Sequence, residues 1–154
     1  MPKKYSKSEQ NTRLAAKEAF IPTMRELARA YQAFTDYSAK HIRELDLTPS
    51  QFDVIATLGN TDGMNMTDLA EKTLVTKGTL TGIIDRLEKK GIVVRVVPPE
   101  NRRSFTIVLT SEGEKTFNNI FPAHIAYLKE RFDRLSAEEL EHTRQALETL
   151  RKLF

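Results

Sequence analysis

Residues 76–90 read TKGTLTGIIDRLEKK, and this stretch decides the fold. Its apolar side chains recur at the i, i+3, i+4, i+7 spacing of one helical face: Leu80, Ile83, Ile84 and Leu87. Thr76 stands where a helix takes its N-cap, and Gly91 stands where a helix commonly ends. The stretch therefore predicts an amphipathic helix whose apolar side packs against the rest of the chain.

Directly after this helix the apolar period changes from 3.6 residues to 2. Residues 92–97 and 104–109 are rich in β-branched side chains, which favour strands. The six residues between them, PPENRR, contain turn formers and two arginines. We predict a β-hairpin with a charged tip.

A second short helix is predicted just before residue 76, with Thr67 as its cap and about Lys72 as its end. Leu74 and Val75 join it to the next helix. Two short helices joined in this way have the size of a helix-turn-helix, whose second helix enters the DNA major groove.

Longer helices are predicted on both sides of this core. On the N-terminal side we expect a short helix ending near Phe20, a long one over 22–45, and a third that starts at the Thr48 capping box. On the C-terminal side one helix runs from 110 to about 135, with Pro122 as a point where it could be interrupted, and a last one starts at the Ser136 capping box. The fold class is mainly α with a small β-hairpin wing: a helical arm over 1–46, a winged helix-turn-helix lobe over 47–110, and C-terminal helices over 111–154, with both arms serving dimerisation.

Composition excludes several classes of protein. The 154 residues contain no cysteine, so disulfides, thiolate zinc sites, iron–sulfur clusters and thiol switches are ruled out. No apolar run is long enough to span a bilayer, and no apolar segment follows the basic N-terminus, so we expect a cytoplasmic protein. The net charge is only +3, but residues 76–109 hold seven basic and three acidic side chains.

The outer face of the 76–90 helix and the hairpin tip carry the candidate DNA contacts. Small hydroxyl side chains on the leading turn suit a helix that approaches base edges, and its N-terminus favours a phosphate. The wing arginines can reach phosphates or the minor groove. These residues are Thr76, Lys77, Thr79, Thr81, Arg86, Arg102 and Arg103.

Taken together, these motifs resemble the MarR family of bacterial transcription regulators. The matching segments are LTPSQF at 47–52, LA at 69–70, KGTLT at 77–81, IDRLEKKG at 84–91 and LTSEG at 109–113. The resemblance implies a homodimer with interdigitated terminal helices, in which each lobe reads half of a pseudo-palindromic operator in double-stranded DNA. It also implies release of the DNA, in many members, by a small aromatic or phenolic ligand bound between the lobes.

The sequence departs from the family pattern at two places. Members commonly carry aspartate at the position of Asn101, paired with the wing arginine, so Asn101 joins the candidate DNA-binding residues without supplying a charge; Glu100 could substitute. Many members also have a large side chain where Gly82 stands. Gly78 and Gly82 either permit close approach of the helix backbone to DNA or are simply positions without a contact.

Histidine and aromatic residues on the long helices have two interpretations. His41 and His124 lie on helices that approach each other in the family, which makes them candidates for a ligand pocket together with Tyr31 and Phe34. The alternative is a structural role: hydrogen-bonded histidines, and aromatic side chains used in the core or in dimer packing.

We expect a dimeric DNA-binding regulator, most simply a repressor, and keep a winged-helix protein-interaction adaptor as the alternative. The sequence has no glycine-rich phosphate loop, nucleophile elbow or paired-histidine metalloprotease motif, so we predict no catalytic residue, no cofactor and no metal site. The lysines at 3, 4 and 7 are either solvated or form a flexible arm on DNA phosphates.

Overall fold

The computed structural model describes residues 6–73 and 75–154. Lys3 and Lys4 of the suggested arm, and Leu74 of the suggested turn, lie outside the described residues. The described part is mainly helical with one small sheet, which confirms the predicted fold class. In chain order its elements are α1 Lys7–Ala15, α2 Ile21–Glu44, α3 Pro49–Leu58, β1 Met64–Asn65, α4 Met66–Lys72, α5 Lys77–Lys89, β2 Val93–Val96, β3 Thr106–Leu109, α6 Ser111–Phe132 and α7 Ala137–Arg151.

The chain divides within α2 into two compact units, one ending at Tyr37 and the other running from Ser38 to Phe154. The first unit contains α1, which Ser6 caps through a reciprocal hydrogen-bond pair with Glu9. α1 ends at Ala15, five residues before the predicted end near Phe20. Pro22 disrupts a helix only over the turn that precedes it, and α1 ends before that turn.

The core of the second unit lies where α3, α4 and α5 pack together with the sheet and the start of α6. The predicted apolar face of α5 is fully or almost fully buried in it. The predicted box at the start of α3 is present, since the Thr48 hydroxyl accepts from the Gln51 backbone and the Gln51 side chain accepts from the Thr48 backbone. The largest fully buried side chains are Ile55, Leu58, Leu69, Leu80, Ile84, Leu87 and Ile107.

The predicted hairpin forms between β2 and β3, with Val93 opposite Leu109 and Val96 opposite Thr106. A third strand, β1, adds to the other edge of β3, giving the order β1-β3-β2. This strand has only two residues, too few to show an alternating pattern, and it was not predicted. It ties the start of α4 to the base of the wing.

The N-cap of α4 was predicted wrongly. The cap is Asn65, whose side-chain oxygen accepts from the Asp68 backbone at 2.8 Å, whereas Thr67 lies inside the first turn. The other predicted boundaries of the helix-turn-helix are confirmed: Thr76 caps α5, and Gly91 follows it with a φ of +73°, a conformation that glycine adopts without strain.

α6 runs without a break through Pro122, which is exposed, to Phe132. Phe117 and Ile120 belong to the arm predicted to serve dimerisation, but both lie in the core of their own chain. The first half of α6 packs on α3 and β3, and a Cβ at Gly113 would lie 2.1 Å from the Ile92 carbonyl oxygen. In the described part of the chain, no helix combines the length and the apolar character needed to cross a bilayer.

Candidate nucleic-acid interface

The outer face of α5 presents short polar side chains to solvent. Thr79 and Thr81 are exposed one turn from the helix start, and neither is buried by another part of its own unit. The Thr76 hydroxyl accepts from the Thr79 backbone at 3.4 Å and donates to the Thr79 hydroxyl at 3.0 Å. The leading turn is thus held in shape by its own hydroxyl groups while its surface stays free.

A groove of about 650 Å³ runs between the start of α4, the outer face of α5 and the wing. Four of the sequence-predicted DNA contacts line it, two from the helix and two from the wing: Lys77, Thr81, Asn101 and Arg103. The fold therefore brings helix side chains together with wing side chains that are 20 or more positions away in the sequence. Arg86 and Arg102 are exposed but do not line this groove.

The Lys77 side chain is held between the two helices of the helix-turn-helix. Its ammonium group donates to the Thr67 hydroxyl at 3.0 Å, so the side chain bridges α5 and α4. An ammonium group has three donors, and this contact uses one of them. The other two remain for a ligand at the α5 N-terminus, where the helix dipole also favours an anion. Thr67 thereby takes part in the site, although its predicted role as a cap was wrong.

Asn101 shapes the tip of the wing. Its side-chain oxygen accepts from the Arg103 backbone at 3.1 Å, and its backbone N–H donates to the Pro98 carbonyl at 3.2 Å. Such contacts from an asparagine side chain to the backbone two residues on stabilise a turn without a charge. Within residues 6–73 and 75–154, neither wing arginine forms an ion pair, and Glu100 does not substitute for the family aspartate.

Two glycines leave the outer face of α5 bare. Among the described residues, a Cβ at Gly78 would meet nothing within 4 Å, and one at Gly82 would meet only the Arg86 side chain at 3.9 Å. The packing of the described part of the chain therefore requires glycine at neither position. Both interpretations of these glycines stay open, because each concerns a ligand that approaches from outside.

Asp85 stands next to Arg86 in the sequence, but it does not pair with that neighbour. Asp85 accepts instead from Arg95 of β2, with Nη2 and Oδ1 2.5 Å apart. Glu88, one turn further along α5, accepts from the other terminal nitrogen of the same guanidinium. The hydrogen bond to Asp85, together with the charge of Glu88, raises the pKa of Arg95.

Arg95 was missed as part of the site because its partners depend on how β2 packs against α5. One signal was present in the sequence. Arg95 is the single charged residue in the run IVVRVV at 92–97, and a charge in such a run needs a specific partner or an exposed face.

His41 and His124 come together, which is compatible with both a ligand-pocket role and a structural role. Their Nδ1 atoms are 3.0 Å apart, and the second ring nitrogen of His124 lies 3.0 Å from the Ser38 hydroxyl. His41 stacks on Tyr127, and His124 meets Phe52 edge-on. Burial, together with the nearby His41, lowers the pKa of His124.

Tyr31 and Phe34, the other two candidates for a ligand pocket, lie in the first unit. Their side chains are 60% and 45% exposed. Among the described residues, no cluster of three or more histidine, aspartate or glutamate side chains is placed to hold a metal ion.

These observations define a class. The second helix of a helix pair has a free outer face, and the wing that follows carries arginines on the same side. This arrangement is a winged helix-turn-helix of the kind that binds double-stranded DNA.

Comparison with known proteins narrows the class to a family. The MarR family model matches residues 47–105. The regulator MhqR of Bacillus subtilis is 34% identical over 115 residues, which cover 75% of this chain and 79% of that protein. The chain belongs to the MarR family and is a transcription regulator rather than an enzyme.

Solved structures share the fold over nearly the whole chain. AbsC, a MarR family regulator from Streptomyces coelicolor, superposes with a TM-score of 0.78 at 25% identity, covering 98% of this chain and 97% of its own. A mutant of MarR from E. coli, crystallised in complex with operator DNA, gives a TM-score of 0.76 at 24% identity, covering 87% and 99%.

Proposed function

We propose that this protein is a homodimeric repressor whose two lobes each read half of a pseudo-palindromic operator. The observation that carries the proposal is the convergence of Lys77 and Thr81 of α5 with Asn101 and Arg103 of the wing around one groove. Residues 76–109, which contain all four, hold four more positive than negative charges.

In this proposal α5 lies in the major groove. Thr79 and Thr81 face base edges, because they are short and exposed on the leading turn. Lys77 and the capping residue Thr76 meet a phosphate at the helix N-terminus. Arg86 contacts a flanking phosphate, and the wing arginines Arg102 and Arg103 reach phosphates or the adjacent minor groove.

Dimerisation is supported by the apolar side chains that the terminal helices leave exposed. In the first unit these include Leu14, Phe20, Met24, Tyr31 and Phe34, and in the second they include Phe121, Ile125, Phe132, Leu147 and Leu153. Apolar exposure on this scale marks an association surface, and two-fold dimers are the commonest assembly. Residues 1–46 and 111–154 would supply the dimer contacts, and residues 47–110 the DNA-binding lobe.

Control by a small aromatic or phenolic effector is the remaining part of the proposal. His41, His124 and Tyr127 offer stacked rings and ring nitrogens at the junction of α2, α3 and α6. The hydroxyl group of a phenol would take the place of one partner in a hydrogen bond of this cluster. Titration of the DNA complex with a hydroxybenzoate tests the point, and unchanged DNA affinity would remove this class of effector from the proposal.

The main test is selection from a library of random DNA duplexes with the full-length protein. We expect an inverted repeat whose half-site centres are about 10 bp apart, as for two lobes on one face of the duplex. Sedimentation should give a dimer, and the selected site placed over a promoter should lower transcription in vitro. No binding of any duplex at low salt would reject the proposal and favour the protein-interaction adaptor.

A further inference from the structure

We propose that Arg95 is a positioning residue for DNA recognition, which fixes the wing against α5 so that both present their contacts to the same duplex. The inference rests on the proposed function, since it concerns how that site is held together. Arg95 itself does not line the groove, and 24% of its side chain is exposed.

One guanidinium group connects three elements. It donates to Asp85 and to Glu88, which lie three residues apart on α5. It also lies over the ring of Phe105, just before β3, with the guanidinium carbon 5.5 Å from the ring centre. The Arg95 backbone N–H adds a bond of 3.4 Å to the Glu88 carboxylate.

These contacts act on β2, the strand that leads to the wing tip. β2 has four residues, and in the strand order β1-β3-β2 of the described residues it lies at an edge of the sheet with β3 as its one neighbour. A short edge strand of this kind has little stability of its own. The bonds from Arg95 to α5 therefore set the distance between the recognition helix and the strand that leads to the wing tip.

The charges of Asp85 and Glu88 allow a test in which two explanations predict opposite changes in DNA affinity. Asp85 and Glu88 are carboxylates on the helix proposed to face DNA, and they are 54% and 39% exposed. If they matter only through long-range electrostatics, replacing them with amides should tighten DNA binding, because a polyanion is then repelled less. If they anchor Arg95, the same replacement should weaken binding, because the wing is no longer held in place.

The experiment compares wild-type protein with Asp85→Asn/Glu88→Gln on the duplex recovered by selection and on a random-sequence duplex of equal length. The amides keep the shape of the side chains, and both positions are partly exposed, so the fold should be retained; circular dichroism and thermal unfolding check this. Glu100→Gln is the matched control, since it removes an exposed carboxylate from the wing without touching Arg95.

We expect the double amide variant to bind the selected duplex about fivefold or more weakly for each phosphate that the wing no longer reaches, with a shallower salt dependence. Binding to the random duplex should be unchanged or tighter. Glu100→Gln should not weaken binding to either duplex. Arg95→Lys, which keeps the charge but replaces a two-pronged donor with a single point, should fall between wild type and Arg95→Ala.

A second measurement shows whether Arg95 acts through the wing. Arg103→Ala should cost less affinity in the Asp85→Asn/Glu88→Gln background than in wild type, because the wing is already held less firmly on the duplex there. Equal or tighter binding of the selected duplex by the double amide variant would overturn the positioning role and leave the proposed function intact. Failure of wild-type protein to bind any duplex would instead reject the proposed function.

Discussion

Removing the positive charge at the wing tip should weaken DNA binding in a way that depends on salt. Arg103 is the best position for this change, because it lines the groove and forms no ion pair within the described part of the chain. The Arg103→Ala substitution therefore removes a charge that is available to DNA and leaves no carboxylate unpaired. Its backbone N–H still closes the turn onto Asn101, so the shape of the wing tip should persist.

The size of the effect follows from counterion release. Each phosphate contact adds about −0.9 to the slope of log affinity against log salt, which corresponds to about fivefold in affinity near 0.15 M salt. A dimer carries two wings, so the substitution removes two contacts. We expect a loss of about 30-fold near 0.15 M and a slope less steep by about 1.8. The loss should be about tenfold larger at 50 mM than at 200 mM salt.

Fluorescence anisotropy with the selected duplex measures both quantities over a salt series. Arg134→Ala is the matched control, because Arg134 is exposed in the turn between α6 and α7 and does not line the groove. It removes the same charge from each chain and should change affinity little. An unaltered affinity and slope for Arg103→Ala, or equal losses for the two variants, would show that the wing does not contact DNA.

Three further predictions concern stability. Gly82→Ala should raise the free energy of unfolding in urea by about 1 kcal/mol, because the added Cβ has room in the helix interior; a fall would mean that the outer face is not open. Gly113→Ala should lower it by about 1–3 kcal/mol, since its Cβ would overlap the Ile92 carbonyl; a neutral result would show that α6 does not start against the backbone of Ile92. The lowered pKa of His124 means that the folded state binds fewer protons than the unfolded chain, so stability should hold above the ordinary histidine pKa and decline as pH falls below about 6.5. His124→Asn should reduce this decline in urea titrations between pH 7.5 and 5.5, and an identical decline in both proteins would assign it to other groups.

Local chemistry made much of the fold predictable. Thr48, Thr76 and Ser136 each precede a helix with the spacing that a side-chain cap requires, and all three are caps in the structure. The apolar face of α5 was predicted because a repeat of 3.6 residues leaves few alternatives over 13 residues. Short elements gave no such signal. β1 has two residues, and the preference for Asn65 over Thr67 as a cap depends on how that strand enters α4.

The candidate site was also predictable from the sequence only in part. The exposed side chains of α5 follow from its periodicity, since residues opposite a buried helix face point to solvent. Asp85 has a neighbouring arginine in the sequence, yet it bonds to one ten positions away, because the hairpin folds back along the helix. The groove could not be predicted from the sequence either. Its shape depends on the distance between α5 and the wing, which the Arg95 bonds help to set.

The outer face of α5 can be tested directly, because the chain has no cysteine and a single introduced thiol reports on one position. The measurement is the alkylation rate of Thr81→Cys with and without the selected duplex, with Asn118→Cys on the exposed side of α6 as the control. With duplex at about ten times its Kd, alkylation at position 81 should slow by roughly tenfold, because only free protein reacts, while the control rate stays constant. An unchanged rate at position 81 in a sample where anisotropy shows that the duplex is bound would contradict the placement of this helix against DNA.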